Sequence, residues 1–192
     1  MKYTLVVVDM QPHAWFASVR NLAAVKREIL RAMDNDCPIV FTQSLYWDSD
    51  DPPLPDVHKE LREMVKGYKY FVDTVGKNCS DASLHIKNFC EPKIVTAAFV
   101  LVGCNSDACV MDTAVGLRRF YPESGITVVK DACDTISKDV DPWACYADHP
   151  TIRLQETTAT PADAATEEDD VELCGICMRP YDDCDCPRTG RR

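Results

Sequence analysis

Residues 100–120, VLVGCNSDACVMDTAVGLRRF, decide the fold of this chain. They begin at the end of an apolar, partly β-branched run, 94–102, whose length and composition are typical of a buried strand. Gly103 interrupts this run. The turn-forming residues that follow it are Asn105, Ser106 and Asp107. From Cys109 onward the apolar residues recur with helical spacing. The stretch therefore predicts a buried strand, a turn and a helix that begins at Cys109.

The position of Cys109 in this stretch has chemical consequences. A thiol in the first turn of a helix, just after a buried strand, lies where unpaired N–H groups and the helix dipole favour negative charge. Such conditions lower the pKa of a cysteine and make its thiolate a nucleophile, which is what we predict for Cys109. The alternative is an ordinary core cysteine, since cysteine is among the residues most often buried. The side chains that meet Cys109 in the fold decide between the two.

Strand-like and helical segments alternate along the rest of the chain. The predicted strands are 3–8, 38–42, 68–75, 94–102, 125–130 and 151–158. The predicted helices are 21–33, 57–65, a segment containing Leu84, Ile86 and Phe89, and the segment from Cys109. This alternation is typical of a parallel sheet covered on both faces. We therefore predict a Rossmann-like, three-layer α/β/α fold with a mostly parallel sheet of five or six strands.

Polar residues follow several of these predicted strands. Asp9 comes directly after the first strand, where open α/β sheets place their ligand crevices, although a turn or helix-capping residue would stand there too. Lys77 precedes a helix whose dipole does not stabilise it, so it is solvated unless it turns into the same crevice as Asp9 and Cys109. The irregular loop 44–55 either covers a pocket at this end of the sheet or is plain surface.

Length and charge narrow the class of protein. The 192 residues suit one domain of ordinary size and a tail. The net charge of −10 argues against binding to nucleic acid or anionic membranes, and no apolar segment approaches the roughly 20 residues of a membrane span. The chain opens directly on a strand-like segment without a signal-peptide pattern. Seven of the eleven cysteines lie in apolar or helical patterns, and we therefore interpret these as reduced thiols and predict a cytoplasmic protein.

The last thirty residues differ in composition from the rest. We divide the chain into a main domain, 1–162, an acidic linker, 163–173, and a cysteine-rich tail, 174–192. The tail cysteines form a C-x2-C-x6-C-x-C array of Cys174, Cys177, Cys184 and Cys186. Four thiolates this close predict a structural zinc ion, whose binding would supply folding energy that the short segment lacks. Two disulfides or an unstructured cysteine-rich end are the alternatives, and the spacing differs from that of iron–sulfur proteins.

Three windows carry a resemblance to a known family. The first is VVVDMQ at 6–11, and the second is Gly76-Lys77 before a helix. The third is GCNSDACVMDTA at 103–114, which is similar to a Gly-x-x-Thr-x-x-Cys-Val-x-x-Thr-Ala signature with Ser106 in place of threonine. Together they resemble the isochorismatase-like cysteine hydrolase superfamily, which includes nicotinamidases, N-carbamoylsarcosine amidases, ureidoacrylate and biuret hydrolases, and isochorismatases. The resemblance covers about residues 3–160 and leaves out the tail.

The resemblance implies a catalytic triad of Asp9, Lys77 and Cys109. In that family the thiolate attacks a carbonyl or amide carbon, the aspartate takes and returns the proton, and the lysine keeps the thiolate charged. It also implies a cis peptide bond between Cys104 and Asn105, with the N–H groups of Asn105 and Cys109 stabilising the oxyanion. The expected reaction is cleavage of a C–N bond of a small amide, ureido or carbamoyl compound through a thioester.

The resemblance also bears on cofactors, partners and alternatives. Zinc-dependent nicotinamidases carry Asp-x-His after the second strand, where this chain has Gln43-Ser44-Leu45-Tyr46, so we expect no cofactor in the catalytic domain. The candidate pocket residues are Gln11, Trp15, Tyr46 and Trp47. We expect a small-molecule substrate, a homo-oligomer, and a possible protein partner for the tail. Two alternatives stay open: an isochorismatase-type vinyl-ether hydrolase, and a catalytically retired fold that serves as a zinc-tailed adaptor.

Overall fold

Six parallel strands form a single sheet with helices on both faces. The computed structural model describes residues 2–13, 16, 20–46, 53–136, 139 and 141–156. The strands are β1 Thr4–Val8, β2 Ile39–Ser44, β3 Phe71–Lys77, β4 Ala98–Cys104, β5 Gly125–Asp134 and β6 Ile152–Gln155. The helices are α1 Leu22–Asp34, α2 Lys59–Val65, α3 Ser83–Cys90 and α4 Cys109–Phe120, with short 3-10 turns at Glu91–Lys93 and Ala144–Asp148. The predicted three-layer α/β/α fold is confirmed.

The order of the strands determines where a ligand crevice lies. Across the sheet the order is β3-β2-β1-β4-β5-β6, and each neighbouring pair is parallel. The chain therefore builds outward from β1 in one direction, then returns to the other side of β1 with β4. Open α/β sheets bind their ligands outside the carboxyl ends of the strands at such a reversal. The segments that follow β1 and β4 flank this point.

Two apolar layers hold the sheet between the helices. Along β1 every residue is buried, as expected for a central strand covered on both faces. Leu5 and Val7 pack in the layer that contains α1 and α2, whereas Val6 and Val8 pack in the layer that contains α3 and α4. The alternation fixes which face each side chain takes, because a shift of one residue would turn every side chain to the opposite layer.

The bounds of β3 and β4 are among those that differ from the predictions. β4 begins at Ala98 instead of residue 94, because the turn Glu91–Lys93 with its proline delays the extended conformation. The strand β4 continues past Gly103, whose φ of +121° is a backbone conformation that glycine adopts readily and other residues rarely adopt. An added Cβ there would lie 2.0 Å from the Val8 carbonyl oxygen, so glycine permits this close approach of β4 to β1. β3 ends at Lys77 instead of residue 75, which makes this lysine the last residue of a strand.

Candidate active site

A buried ion pair lies at the carboxyl end of the sheet. Asp9 follows β1 directly, and Lys77 ends β3. The Lys77 Nζ donates to Asp9 Oδ2 at 2.7 Å, and neither side chain has any solvent exposure. Two hydroxyl groups of the intervening strand β2 complete the surroundings of the carboxylate: Thr42 Oγ1 donates to Oδ1 at 3.3 Å, and Ser44 Oγ donates to Oδ2 at 3.2 Å. The carboxylate is therefore fixed by three donors from two strands.

The ammonium group of Lys77 is charged in this environment. Burial alone lowers the pKa of a lysine, but Asp9 and Cys109 act in the opposite direction through charge and hydrogen bonds, so that the net pKa of Lys77 is raised. The same ammonium group also donates to the Cys79 carbonyl oxygen at 2.9 Å. The turn that follows β3 therefore closes over Lys77 and holds it against Asp9.

Cys109, the first residue of α4, meets both members of this pair. The charges of Asp9 and Lys77 act on the pKa of its thiol in opposite directions, and the residue is 9% exposed. The structure thus brings together the three residues that the resemblance assigns to a triad, although they lie far apart in the chain. Their catalytic roles stay a prediction.

The expected lowering of the Cys109 pKa is wrong. Burial has the largest effect and raises the pKa of this thiol. The Asp9 carboxylate raises the pKa further, and the opposing effect of Lys77 is smaller, so that the pKa is about 12. The helix terminus alone would lower this pKa, but the fold adds desolvation and a neighbouring negative charge. At neutral pH the Cys109 thiol is therefore protonated at rest.

The segment between β4 and α4 contains a cis peptide bond at Cys104–Asn105, at the position that the resemblance implies. Several hydrogen bonds hold this segment. Ser106 N–H donates to the Asp134 carbonyl oxygen at 2.9 Å, and the Tyr146 hydroxyl donates to the Ser106 carbonyl oxygen at 2.8 Å. The Val110 N–H donates to the Asn105 carbonyl oxygen at 3.1 Å, which ties the start of α4 to the segment. The assignment of Asn105 and Cys109 as oxyanion donors stays a prediction.

The structure describes two of the four candidate pocket residues, Gln11 and Tyr46. Gln11 is fully buried. Its Nε2 group donates to the carbonyl oxygens of Ser44 and Pro55 at 2.9 and 2.6 Å, and its Oε1 atom accepts from the Ser44 N–H at 2.8 Å. Gln11 therefore holds the end of β2 and the loop after it against the segment that follows β1. Tyr46 is 43% exposed. Trp15 and Trp47 lie outside the described residues.

The described residues contain no group of three or more histidine, cysteine, aspartate or glutamate side chains that could hold a metal ion. The four tail cysteines assigned to zinc, Cys174, Cys177, Cys184 and Cys186, lie outside the described residues, as does the acidic linker. Within the described part of the chain, no helix has the length and apolar character of a membrane span.

Sequence reasoning missed two residues that the structure places in this site. Thr42 and Ser44 both contact the Asp9 carboxylate, but the sequence analysis assigned Thr42 only to a strand and Ser44 only to a loop. A usable signal was present, because β2 and β1 are parallel neighbours whose carboxyl ends lie at the same edge of the sheet. Polar residues at the end of β2 are therefore placed beside Asp9.

These observations define the class of fold: a sheet reversal between β1 and β4, an acid after β1, a lysine at the end of β3 and a thiol at the start of α4. Solved structures of a pyrazinamidase/nicotinamidase, an N-carbamoylsarcosine amidase and an isochorismatase family protein share the arrangement of the sheet and helices. A nicotinamidase/pyrazinamidase from Bacillus subtilis is 20% identical, with 81% of this chain and all of that chain covered and a TM-score of 0.64. No protein-family model matches the sequence, and no curated protein matches it.

Two further solved structures share the fold, an amidase of another name and a protein named only by its family. An N-carbamoylsarcosine amidase from Thermoplasma acidophilum is 18% identical, covers 84% of this chain and 99% of its own, and has a TM-score of 0.60. An isochorismatase family protein from Burkholderia thailandensis is 19% identical, covers 85% of this chain and 95% of its own, and has a TM-score of 0.57. The shared fold is therefore one that carries several reactions.

Proposed function

We propose that this protein is a cysteine hydrolase that cleaves a C–N bond of a small amide, ureido or carbamoyl compound through a thioester on Cys109. The observation that supports it best is the fully buried Asp9–Lys77 pair, whose charges act on the Cys109 thiol at the start of α4. A charged pair without solvent exposure is costly to bury, and strongly perturbed titratable groups cluster at functional sites. The structural neighbours with amidase names support the reaction class.

The first half of the reaction forms the thioester. The Cys109 thiol gives its proton to the Asp9 carboxylate as the sulfur attacks the carbonyl carbon, so that a C–S bond forms and the carbonyl electron pair moves to oxygen. Lys77 stabilises the negative charge on the sulfur during this transfer. Collapse of the intermediate breaks the C–N bond, and the leaving nitrogen takes the proton from Asp9.

The second half releases the product. Water attacks the thioester carbon, Asp9 accepts a proton from that water, and the C–S bond breaks. The proton then returns from Asp9 to the sulfur, which restores the thiol. The products are ammonia or an amine from the first half and an acid from the second. Because the resting thiol is protonated, the proton acceptor is indispensable to this scheme.

Ammonia release from a panel of primary amides, ureas and carbamoyl compounds tests the proposal. We expect the wild-type protein to release ammonia from at least one compound, and Cys109→Ser to lower the rate by roughly a thousandfold or more. Cys145→Ser is the control, because this thiol binds the Pro142 carbonyl oxygen outside the triad. Release that persists in Cys109→Ser would contradict the proposal. Turnover of a vinyl ether that survives Cys109→Ala but not Asp9→Ala would favour the isochorismatase-type reaction.

We also propose that Cys174, Cys177, Cys184 and Cys186 bind one structural zinc ion. The support is the spacing of the four thiols, which is compatible with tetrahedral coordination. Elemental analysis of the full chain is expected to give one zinc per chain, and Cys177→Ser is expected to lose it, while Cys145→Ser keeps it. Zinc that is absent from the wild-type chain, or that stays in Cys177→Ser, would contradict this assignment.

We further propose that the protein is a cytoplasmic homo-oligomer and that the tail has a protein partner. The support is the family resemblance for the oligomer and the reduced-thiol interpretation for the compartment. Light scattering of the purified chain measures its oligomeric state, and cell fractionation shows in which compartment it lies. If the fold is a retired hydrolase, the chain is expected to release no ammonia from the panel, yet to bind a partner that Cys177→Ser no longer binds.

A further inference from the structure

The start of α4 depends on the segment that precedes it. Ala108 stands at the N-cap position of the helix, and alanine has no side-chain oxygen with which to cap it. The N–H groups of Ala108 and Val110 both donate to the Asn105 carbonyl oxygen at 3.1 Å. The position of Cys109, the first residue of α4, is therefore set by the way in which residues 105–108 are held.

The main chain of Ser106 is held from two sides. Its N–H donates to the carbonyl oxygen of Asp134, the last residue of β5, at 2.9 Å. Its carbonyl oxygen accepts a hydrogen bond from the Tyr146 hydroxyl at 2.8 Å. Ser106 has no solvent exposure and Tyr146 is 4% exposed. Because both residues are buried, bulk water does not replace the bond between them.

The side chain of Asp107 is held by the residue that follows β5. Thr135 Oγ1 donates to Asp107 Oδ1 at 2.6 Å. The Arg20 guanidinium group donates to the Thr135 carbonyl oxygen, and its Nε lies 2.7 Å from Asp134 Oδ2. Two neighbouring residues of the segment thus each receive a donor from a side chain that is distant in the chain, 40 residues away for Tyr146 and 28 for Thr135.

The Tyr146 hydroxyl is the donor in its bond, because a carbonyl oxygen can only accept. Burial raises the pKa of this hydroxyl above its ordinary value of 10.0, so the phenol keeps its proton at neutral pH. The ring belongs to the same buried apolar layer as Cys109, and its centroid lies 5.8 Å from that of the Trp143 ring. Packing therefore fixes the ring, and the ring fixes the hydroxyl against Ser106.

We propose that Tyr146 and Thr135 are positioning residues for the nucleophile: they hold Ser106 and Asp107, and thereby fix the start of α4 and the Cys109 sulfur with it. The inference deepens the proposed function and rests on it, because the position of this sulfur matters to a reaction only if Cys109 attacks the substrate. Neither residue gains or loses a proton. Attack within an enzyme is sensitive to small displacements of the reacting atoms, so their effect is on kcat.

Steady-state kinetics on a compound that the wild-type protein hydrolyses tests this role. Tyr146→Phe keeps the ring and removes the hydroxyl, and we expect kcat to fall about tenfold while KM stays within about twofold. Thr135→Val removes the second donor with little change of shape and is expected to lower kcat in the same way. Thr135→Ser keeps that hydroxyl and is expected to restore the wild-type kcat.

Tyr121→Phe is the matched control. Tyr121 stands at the C-cap position of the same helix, and its hydroxyl donates to Glu91 Oε1 at 3.1 Å on the exposed surface. This variant removes the same chemical group at the opposite end of α4. We expect it to leave kcat and KM unchanged.

Hydrogen–deuterium exchange of the full chain tests the hold on the segment without a substrate. In Tyr146→Phe the amides of residues 105–110 are expected to exchange about tenfold faster, because the Ser106 carbonyl oxygen has lost its donor. The amides of β1 are expected to keep their rates. In Tyr121→Phe the amides of residues 105–110 are expected to exchange as in the wild type.

The two measurements separate this inference from the proposed function. Unchanged exchange of residues 105–110 in Tyr146→Phe, or faster exchange that extends equally to β1, would overturn the inference. An unchanged kcat, a loss confined to KM, an equal loss in Tyr121→Phe, or a Thr135→Ser variant as slow as Thr135→Val would overturn it too. If the segment exchanges faster but the wild-type protein hydrolyses no compound, the proposed function fails and the hold of Tyr146 on the segment stands.

Discussion

Asp9 and Lys77 depend on each other because both are charged and neither touches solvent. Replacement of Lys77 by methionine keeps the length of the side chain but leaves the Asp9 carboxylate buried without a counter-ion. Removal of one partner of a buried pair typically costs about 3–5 kcal/mol. We therefore expect Lys77→Met to lower the free energy of unfolding by about that amount, measured by urea denaturation with circular dichroism.

An exposed ion pair of the same length provides the matched control. Arg62 and Asp56 also lie 2.7 Å apart, but their side chains are 53% and 66% exposed. Exposed pairs contribute about 1 kcal/mol or less, so Arg62→Met is expected to have a small effect. Equal losses in the two variants would show that burial does not set the strength of the Asp9–Lys77 interaction.

Gly103 is the residue at which β4 approaches β1 most closely. A Cβ at this position would lie 2.0 Å from the Val8 carbonyl oxygen, and its φ of +121° is unfavourable for any side chain. Because a clash with main chain cannot be relieved by a rotamer change, Gly103→Ala is expected to lower the free energy of unfolding by more than about 4 kcal/mol. Urea denaturation measures the loss.

Gly67 separates the clash from the backbone conformation. Its φ is +77°, but an added Cβ would have no atom within 4 Å. Gly67→Ala therefore carries the conformational cost alone, about 1–2 kcal/mol. If Gly103→Ala were no worse than Gly67→Ala, the close approach of β4 to β1 would not be the reason for glycine at position 103.

For single residues, the local sequence pattern predicted part of the candidate site correctly and gave a wrong or incomplete prediction for the rest. Asp9 stands directly after a buried strand and Cys109 begins the helix that follows another, where the sequence alone indicates a crevice. The participation of Lys77 depends on the pairing of β3 with β2, which no local pattern contains, so the sequence left it open and only the family resemblance favoured it. The Cys109 pKa was misjudged because desolvation and the Asp9 charge are properties of the assembled fold.

At the level of the elements, Asn21 stands at the N-cap position of α1, but its side chain makes no capping hydrogen bond. Its Nδ2 instead donates to the carbonyl oxygens of Gly103 and Ala132, each at 3.1 Å. The pairing of β4 with β5 is irregular at this point, since Leu101 pairs with Val128 but Gly103 pairs with Cys133. Asn21 therefore joins two strands where their regular ladder is interrupted, beside the segment that leads to α4.

Loss of this amide is expected to destabilise the junction. Asn21→Leu would leave two buried carbonyl oxygens without their donor, and each such group costs about 1–3 kcal/mol. We expect urea denaturation to give a loss of about 2–4 kcal/mol. Asn35→Ala, at the exposed other end of α1, removes a bond to the Arg31 carbonyl oxygen and is expected to cost less than about 1 kcal/mol. Comparable losses would contradict a bridging role for Asn21.

The elements themselves were more predictable than their ends. The helices α1 and α4 were predicted within one residue of their bounds, because their apolar residues repeat with helical spacing over three turns. The ends of β3 and β4 were displaced, since a proline turn before β4 and a glycine within it act against the apolar pattern. These ends matter here, because the end of β3 is Lys77 and the end of β4 is the cis peptide bond.

In the molecule as a whole, the buried thiols make stability sensitive to alkaline pH. Burial is the largest cause that raises the pKa of Cys90 to about 11 and that of Cys109 to about 12, and it also raises the pKa values of Cys104 and Cys133. The unfolded chain ionises such thiols near pH 9, so between about pH 9 and 12 it releases protons that the fold retains. The raised pKa of Lys77 adds to the loss above its ordinary value of 10.5.

We therefore expect these thiols to have no effect on the pH dependence of the free energy of unfolding below about pH 9. Above that pH their ionisation in the unfolded chain is expected to lower the free energy of unfolding. Each buried thiol contributes about 1.4 kcal/mol per pH unit while it is ionised in the unfolded chain alone. Urea denaturation at pH values from 8 to about 11 measures the slope, and Cys109→Ser, which removes one such thiol, is expected to make the slope shallower by that amount. A slope that is equal in Cys109→Ser and the wild type would mean that the Cys109 thiol ionises in the fold as readily as in the unfolded chain.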